Sequence, residues 1–331
     1  MEAAGPGLIN SGLINSGLIN SSLIKSGLIK LGSISSNLKN TAQPASIGRF
    51  APSPTGPLHF GSLVAALGSY LNVKSKAGQW LVRIEDIDPP REPPGASLQI
   101  LSALNTLELH ADAPILFQSS RIDTYRSALQ QLIQSGHAFP CFCTRSQLAG
   151  APHRGRCASK SRNQPSWRLL APALAMSFED EICGTYSQNL GEEVGDFVLW
   201  RSDNLPSYQL ACVVDDAFTG VTEIVRGADL LDATPRQIYL QQLLGYPTPR
   251  YAHLPLVMGH DGQKLSKQNL APALDLQHAL TLLRQASAFL QQSESQNAAM
   301  TQNLAAWLKL SCSDWQIDRI RSHGLVHTDS S

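Results

Sequence analysis

The sequence lacks any imbalance of charge: 26 Lys and Arg stand against 26 Asp and Glu, and charged residues make up only 16% of the 331 residues. A global basic field is therefore excluded, and a nucleic acid would have to be met by a local patch. No run of 18 apolar residues occurs, so no membrane-spanning helix is expected. An evenly spread cysteine framework is also missing. The six cysteines fall at 141, 143, 157, 183, 212 and 312, which argues for reduced thiols and a cytoplasmic setting rather than a disulfide-stapled domain.

Other features are conspicuous by their presence. Five near-copies of a Gly-Leu-Ile-Asn-Ser pentad fill residues 7–31. A five-residue period sets successive Leu-Ile pairs about 140° apart on a helix and on alternating faces of a strand, so no continuous apolar face forms. Residues 1–46 are accordingly expected to be a low-complexity extension without stable fold. With Glu2 before the repeat and no basic segment at its start, a secretory signal is not expected; a start further along the chain is the other reading. A basic stretch does exist. Arg145, Arg154, Arg156, Lys160, Arg162 and Arg168 occur with no acidic residue between them, and they read equally as a solvated loop or as an RNA contact.

From residue 47 the pattern becomes regular. Ile47–Phe50 predicts a strand, the Pro/Gly punctuation at Pro52, Pro54, Gly56 and Pro57 a tight loop, and the apolar spacing from His59 to Lys76 a helix. Gln79–Glu85 predicts the next strand, giving a β-α-β unit and a parallel sheet. Helices are expected at 95–108, 122–135 and 235–244, the last capped by Thr234 and ended by Gly245. Strands are expected at 196–201, 208–215 and 221–225. Three helical patterns follow at 273–292, 298–310 and 313–321, while 138–190 reads as an inserted subdomain.

Two segments carry phosphate chemistry. The strand, Pro/Gly turn and helix around His59 would place backbone N–H groups and a positive helix end at one spot, with Gly61 letting a purine approach the backbone. Lys264-Leu-Ser-Lys-Gln268 follows the turn signal His260-Asp-Gly-Gln263. Its ammonium groups suit the charge that builds on departing pyrophosphate. Alone, the first is most often a structural connection and the second a solvated loop. Separately, Cys141-Phe-Cys143 with His153 and Cys157 offers four soft or borderline ligands within seventeen residues. That set fits tetrahedral zinc with every position filled, hence a structural site, although such spacing also occurs without metal.

Taken together, Pro57-Leu-His-Phe-Gly-Ser62 and Lys264-Leu-Ser-Lys-Gln268 resemble the paired HIGH and KMSKS signatures of class I aminoacyl-tRNA synthetases. Arg49-Phe-Ala-Pro-Ser-Pro54, Arg83-Ile-Glu-Asp-Ile-Asp88 and Val225-Arg-Gly-Ala-Asp-Leu-Leu-Asp232 are similar to the glutamate-specific branch. The resemblance implies an α/β, Rossmann-like catalytic domain over 47–270, a zinc-binding insertion within 138–190 and a short helical region over 271–331. It implies L-glutamate held by Arg49, Phe50, Ala51, Pro52, Ser53, Glu85, Tyr208 and Arg226. It further implies ATP, with its Mg2+, held by His59, Gly61, Lys264 and Lys267, of which His59 and Lys267 act on the phosphates. The chemistry agrees, because two carboxylates and one ammonium call for two cations, an anion and an orienting hydroxyl. Related enzymes carry Cys-x-Cys and a later Cys as zinc ligands, often with Tyr where His153 stands, and imidazole is the better ligand at neutral pH. Only residues 269–331 follow the second signature, so a long anticodon-binding region is not expected. With Phe60 and Gln268 as signature variants, the chain is most similar to the branch that glutamylates queuosine in tRNA(Asp). A monomer is expected. A truncated synthetase charging an acceptor end, or an inactive nucleotide- or RNA-binding paralogue, are the alternatives. Cys183, Cys212 and Cys312 are read as buried thiols.

Overall fold

The computed structural model describes residues 46–148, 150–155, 163–258 and 272–321. The pentad repeat, Cys157 and the Lys264–Gln268 segment, with Lys264 and Lys267, lie outside the described residues. The chain opens with β1 (Ile47–Phe50), α1 (Phe60–Lys74) and β2 (Gln79–Ile84), the expected β-α-β unit. Four apolar side chains of α1, Leu63, Val64, Leu67 and Leu71, are almost wholly buried, each contributing roughly 1.5–3 kcal/mol. The helix lies so close to β1 that a Cβ on Gly48 would sit 2.4 Å from Val73 Cγ2. Glycine at that position lets α1 press against the strand.

Further along come α2 (Ala96–Thr106), β3 (Leu116–Phe117), α3 (Ile122–Gln134), β4 (Ala138–Cys141) and α4 (Arg145–Leu148). Then follow β5 (Ser166–Leu169), β6 (Ala175–Asp180), β7 (Gly184–Asn189), β8 (Phe197–Trp200) and α5 (Tyr208–Phe218). The remaining elements are β9 (Glu223–Gly227), α6 (Thr234–Leu244), β10 (Arg250–Leu254), α7 (Ala279–Phe289), α8 (Gln296–Met300) and α9 (Leu304–Asp314). A seven-stranded sheet runs β3-β2-β1-β9-β10-β6-β7, with only β7 antiparallel to its neighbour, and β4-β5-β8 form a separate antiparallel sheet. The segment 138–190 is thus divided between two sheets, its β6-β7 hairpin extending the larger one. From β1 the chain winds outward through β2 and β3 and later returns on the other side through β9 and β10. The order reverses between β1 and β9, and ligands of open parallel sheets bind beyond the strand ends at such a point. Among the described residues no helix is long and apolar enough to cross a membrane.

Several expectations need correction. Residues 208–215, read as a strand, begin helix α5, whose cap Ser207 accepts the Leu210 N–H at 3.4 Å. Helix α6 starts at Thr234 itself after Ala233; the Thr234 side chain is fully buried and used elsewhere. Gly245 does end the helix in the left-handed conformation, at φ 72°. The pattern at 298–310 is broken between α8 and α9, and within 313–321 only the end of α9 and a short turn at Ile317–Arg319 are helical. Cys212 is buried as expected, whereas Cys183 and Cys312 are half-buried.

Candidate active site

The ends of β1, β2, β9 and β10 gather the polar residues that the larger sheet would not otherwise tolerate. Arg49 on β1 is 4% exposed, Arg83 on β2 2%, Asp216 on α5 2% and Arg226 on β9 5%. Burying charges at this density is costly unless each finds a partner. Asp216 supplies one for two arginines: Oδ1 accepts from Arg49 Nε at 3.1 Å and from Arg83 Nη1 at 2.6 Å. Arg83 also reaches Glu85 Oε1 at 3.2 Å. Burial alone would push the Asp216 carboxyl up, but Arg49 and Arg83 outweigh it and hold the group well below the usual range. Burial likewise opposes the charge of Arg49, and Asp216 overcomes it. For Glu85 burial prevails over Arg83 and Arg49, and its pKa is raised.

Arg226 differs from the other two arginines. Its Nε donates to His253 Nε2 at 3.1 Å, Nη1 to Tyr208 Oη at 3.3 Å, and Nη2 to Thr234 Oγ1 at 2.7 Å and the Leu230 carbonyl at 3.3 Å. The guanidinium also lies 5.5 Å from the centre of the Tyr251 ring, a cation–π contact. Every one of these partners is neutral, and among the described residues no carboxylate stands within ion-pair distance. Because Arg226 donates to His253 Nε2, the imidazole proton sits on Nδ1, which donates to Asp180 Oδ2 at 2.6 Å. Burial lowers the His253 pKa, and Arg226 lowers it further against the opposing pull of Asp180. A neutral imidazole fits the hydrogen bond it accepts. Asp180, His253 and Asp216 belong to no motif in the sequence, and Thr234 stands there only as an expected helix cap. Residues 180 and 253 are 73 apart, and only the pairing of β6 with β10 brings them together.

Of the predicted glutamate-binding residues, Ser53, Glu85 and Tyr208 line a cleft of about 250 Å3, together with Gln118, Arg201, Asp88, Arg91 and Glu92. Tyr208 is raised in pKa by burial, and Cys212, Arg226, Glu85 and Arg49 are all near enough to act on it. Phe50 turns into the core and stacks on Trp80 at 6.3 Å, so that residue has only its backbone to offer a ligand. Ala51 is half-buried, Pro52 buried and Ser53 exposed. The loop is tied to β2 by the Glu85 N–H, which donates to the Pro52 carbonyl at 3.0 Å. His59 caps α1: its Nδ1 accepts the Ser62 N–H at 3.2 Å, which leaves the ring proton on Nε2. Gly61 lies in the first turn of the same helix.

A second cluster forms beside the antiparallel sheet. Ligand atoms of Cys141, Cys143 and His153 lie within 4.8 Å of one another, with Cys141 Sγ 3.3 Å from His153 Nε2. The other imidazole nitrogen meets Asp196 Oδ2 at 2.9 Å, the carboxylate support that metal-bound histidines commonly have. Asp196 also accepts the N–H groups of Gly155 at 2.6 Å and Ala171 at 2.8 Å. Gly195 makes this arrangement possible, because its φ is +71° and a Cβ there would lie 2.4 Å from the His153 carbonyl oxygen. These three ligands can hold a metal; the fourth expected one, Cys157, lies outside the described residues. Of the basic stretch, Arg168 is spent inwards on the Asp196 carbonyl at 2.7 Å, and Arg154 donates to the Glu192 carbonyl at 3.1 Å.

Comparison with known proteins places the chain in a family. Residues 47–286 match the family described as tRNA synthetases class I (E and Q), catalytic domain. A glutamyl-Q tRNA(Asp) synthetase of Neisseria gonorrhoeae is 46% identical over 293 residues, covering 84% of this chain and 98% of that relative. One from Pseudomonas putida is 52% identical over 244 residues, covering 72% and 83%. The glutamate-tRNA synthetase structure from Elizabethkingia anophelis shares the fold at a TM-score of 0.72 and 23% identity, covering 84% of this chain and 67% of that one. The chain therefore belongs to the class I tRNA synthetases of the E and Q type, within the family of the glutamyl-Q tRNA(Asp) synthetases.

Proposed function

We propose that this ligase of the aminoacyl-tRNA synthetase type activates L-glutamate with ATP in the absence of tRNA. It then transfers the glutamyl group to queuosine at the wobble position of tRNA(Asp). The observation that carries the glutamate half is the buried Arg226 guanidinium with neutral partners only. A carboxylate ligand supplies the counter-charge that the fold withholds. Tyr208 orients that ligand, Glu85 takes its ammonium group, and Ser53 and the loop before it close the cleft. In the first step the α-carboxylate oxygen forms a bond to the α-phosphorus of Mg-ATP and pyrophosphate leaves, with His59 and Lys267 stabilising the phosphate charge. In the second a hydroxyl of the queuosine ring attacks the mixed anhydride. A glutamyl ester forms, AMP leaves, and the hydroxyl proton is released. The acceptor half rests on the relatives, whose match spans nearly their whole length. Labelled glutamate should pass to tRNA(Asp) containing queuosine and not to tRNA(Asp) without it, while glutamate-dependent ATP–pyrophosphate exchange proceeds with no tRNA present. Equal labelling of the two tRNAs would overturn the acceptor.

The Cys141, Cys143 and His153 cluster, completed by Cys157, is proposed to hold one structural zinc ion. In tetrahedral zinc–thiolate sites neighbouring ligand atoms are separated by roughly 3–4 Å, close to the Cys141–His153 approach. Asp196→Asn should weaken zinc retention about 10–100-fold by removing the charge that orients His153. Competition with a chelator reads this directly, and wild-type retention in that variant would count against the site.

A further inference from the structure

We infer that a second cleft, adjoining the first, seats an unpaired nucleobase of the RNA that accepts glutamate; this rests on the transfer reading above. The cleft holds about 380 Å3 and lies between α3 and the strands β5 and β8, within the size range of small-molecule sites, about 300–1,000 Å3. Trp167 and Trp200, cross-strand partners on β5 and β8, belong to its wall. Arg126, exposed on α3, lays its guanidinium 5.3 Å from the centre of the Trp200 ring. Gln130, Gln164 and Asn204 add primary amides, and among the described residues no carboxylate lines the cleft.

That composition selects its ligand. Unpaired bases stack on aromatic rings and guanidinium planes and pair their edges with amide groups. A simple anion is a poorer fit, because Arg201 is already engaged by Asp88 at 3.1 Å and by Asp203, leaving Arg126 without a second clamp among the described residues. A duplex keeps its base faces covered and offers nothing to stack. The site is also built before any ligand arrives. The loop after β8 is closed by the Arg201 N–H to the Leu205 carbonyl at 2.8 Å and the Asn204 N–H to the Arg201 carbonyl at 3.1 Å. Asn204, at φ 67°, accepts the Trp200 Nε1–H at 3.1 Å, and asparagine tolerates that backbone region better than most residues. Arg201 lines both clefts. An RNA loop presenting one residue to the Glu85 and Tyr208 cleft can therefore lay a neighbouring base beyond Arg201.

The test uses the full chain and an anticodon stem-loop of tRNA(Asp) containing queuosine. Trp167→Ala should raise the KM for this RNA about ten-fold, Trp167→Phe should recover most of it, and ATP–pyrophosphate exchange should stay within about two-fold of wild type. Arg126→Ala, at an exposed position, should raise the same KM with no demand on the fold. Unchanged RNA KM in both alanine variants, with exchange intact, overturns the inference. If the wild-type chain shows no dependence on queuosine, the acceptor assignment fails instead. The cleft is then decided by binding of the stem-loop in fluorescence anisotropy: weaker binding by Trp167→Ala upholds it, and equal affinity overturns it.

Discussion

Asp216→Asn is expected to destabilise the protein by about 3–5 kcal/mol, the range for removing one partner of a buried ionic cluster. The residue is 2% exposed and is the shared counterion of Arg49 and Arg83. An asparagine keeps the shape but leaves two guanidinium groups close together, with Glu85 still paired to Arg83. The pH dependence follows from the depressed pKa of Asp216. Its contribution is fully present above the unfolded-state value, about 3.9, and is lost as pH falls through the lower folded-state value. Urea midpoints should therefore separate wild type and variant strongly at pH 7, and the gap should narrow on acidification below about pH 4. A gap unchanged down to pH 2, or absent at pH 7, would show that Asp216 is not the counterion described. Activity should fall as well, because Glu85 is drawn more strongly to the two arginines and is less available to an ammonium ligand.

Much of the fold was legible because β1, α1 and β2 alternate between period-two and helical patterns with Pro/Gly punctuation between them. The reading failed where the pattern carries no information. Residues 210–216 of α5 are buried throughout, so a strand and a helix predict the same apolar run, and only length separates them. Thr234 illustrates another loss: a threonine before a helix suggests a cap, but Arg226 and the Leu230 carbonyl claim its hydroxyl. For the site, signatures pointed to Arg49, Glu85, Tyr208 and Arg226. What they could not convey is that Arg49 is already matched by Asp216 while Arg226 is not. Such a difference depends on side chains from β1, α5, β9 and β10 meeting in space, and nothing in local sequence encodes it. The support of Arg226 by His253 and Asp180 was hidden for the same reason.

Arg226→Gln should separate function from stability. Losing a buried cation that has no counterion among the described residues should leave the apoprotein within about 1–2 kcal/mol of wild type, since the lost hydrogen bonds to His253, Thr234 and Tyr208 are offset by relief of an uncompensated buried charge. Catalysis should suffer far more. With glutamate bound, the guanidinium becomes half of a desolvated, charge-assisted pair, and kcat/KM in ATP–pyrophosphate exchange should drop roughly 10³-fold. His253→Gln, which keeps an acceptor but loses the aromatic ring and the Asp180 link through Nδ1, should cost about ten-fold, mainly in KM for glutamate. Glutamine as substrate tells which carboxylate Arg226 holds. If it is the side-chain carboxylate, Arg226→Gln loses far less activity towards glutamine than towards glutamate, because the neutral amide never supplied the counter-charge. Equal losses for the two amino acids assign Arg226 to the α-carboxylate and leave side-chain selection to Arg49. A variant as active as wild type with glutamate would remove Arg226 from the substrate site altogether.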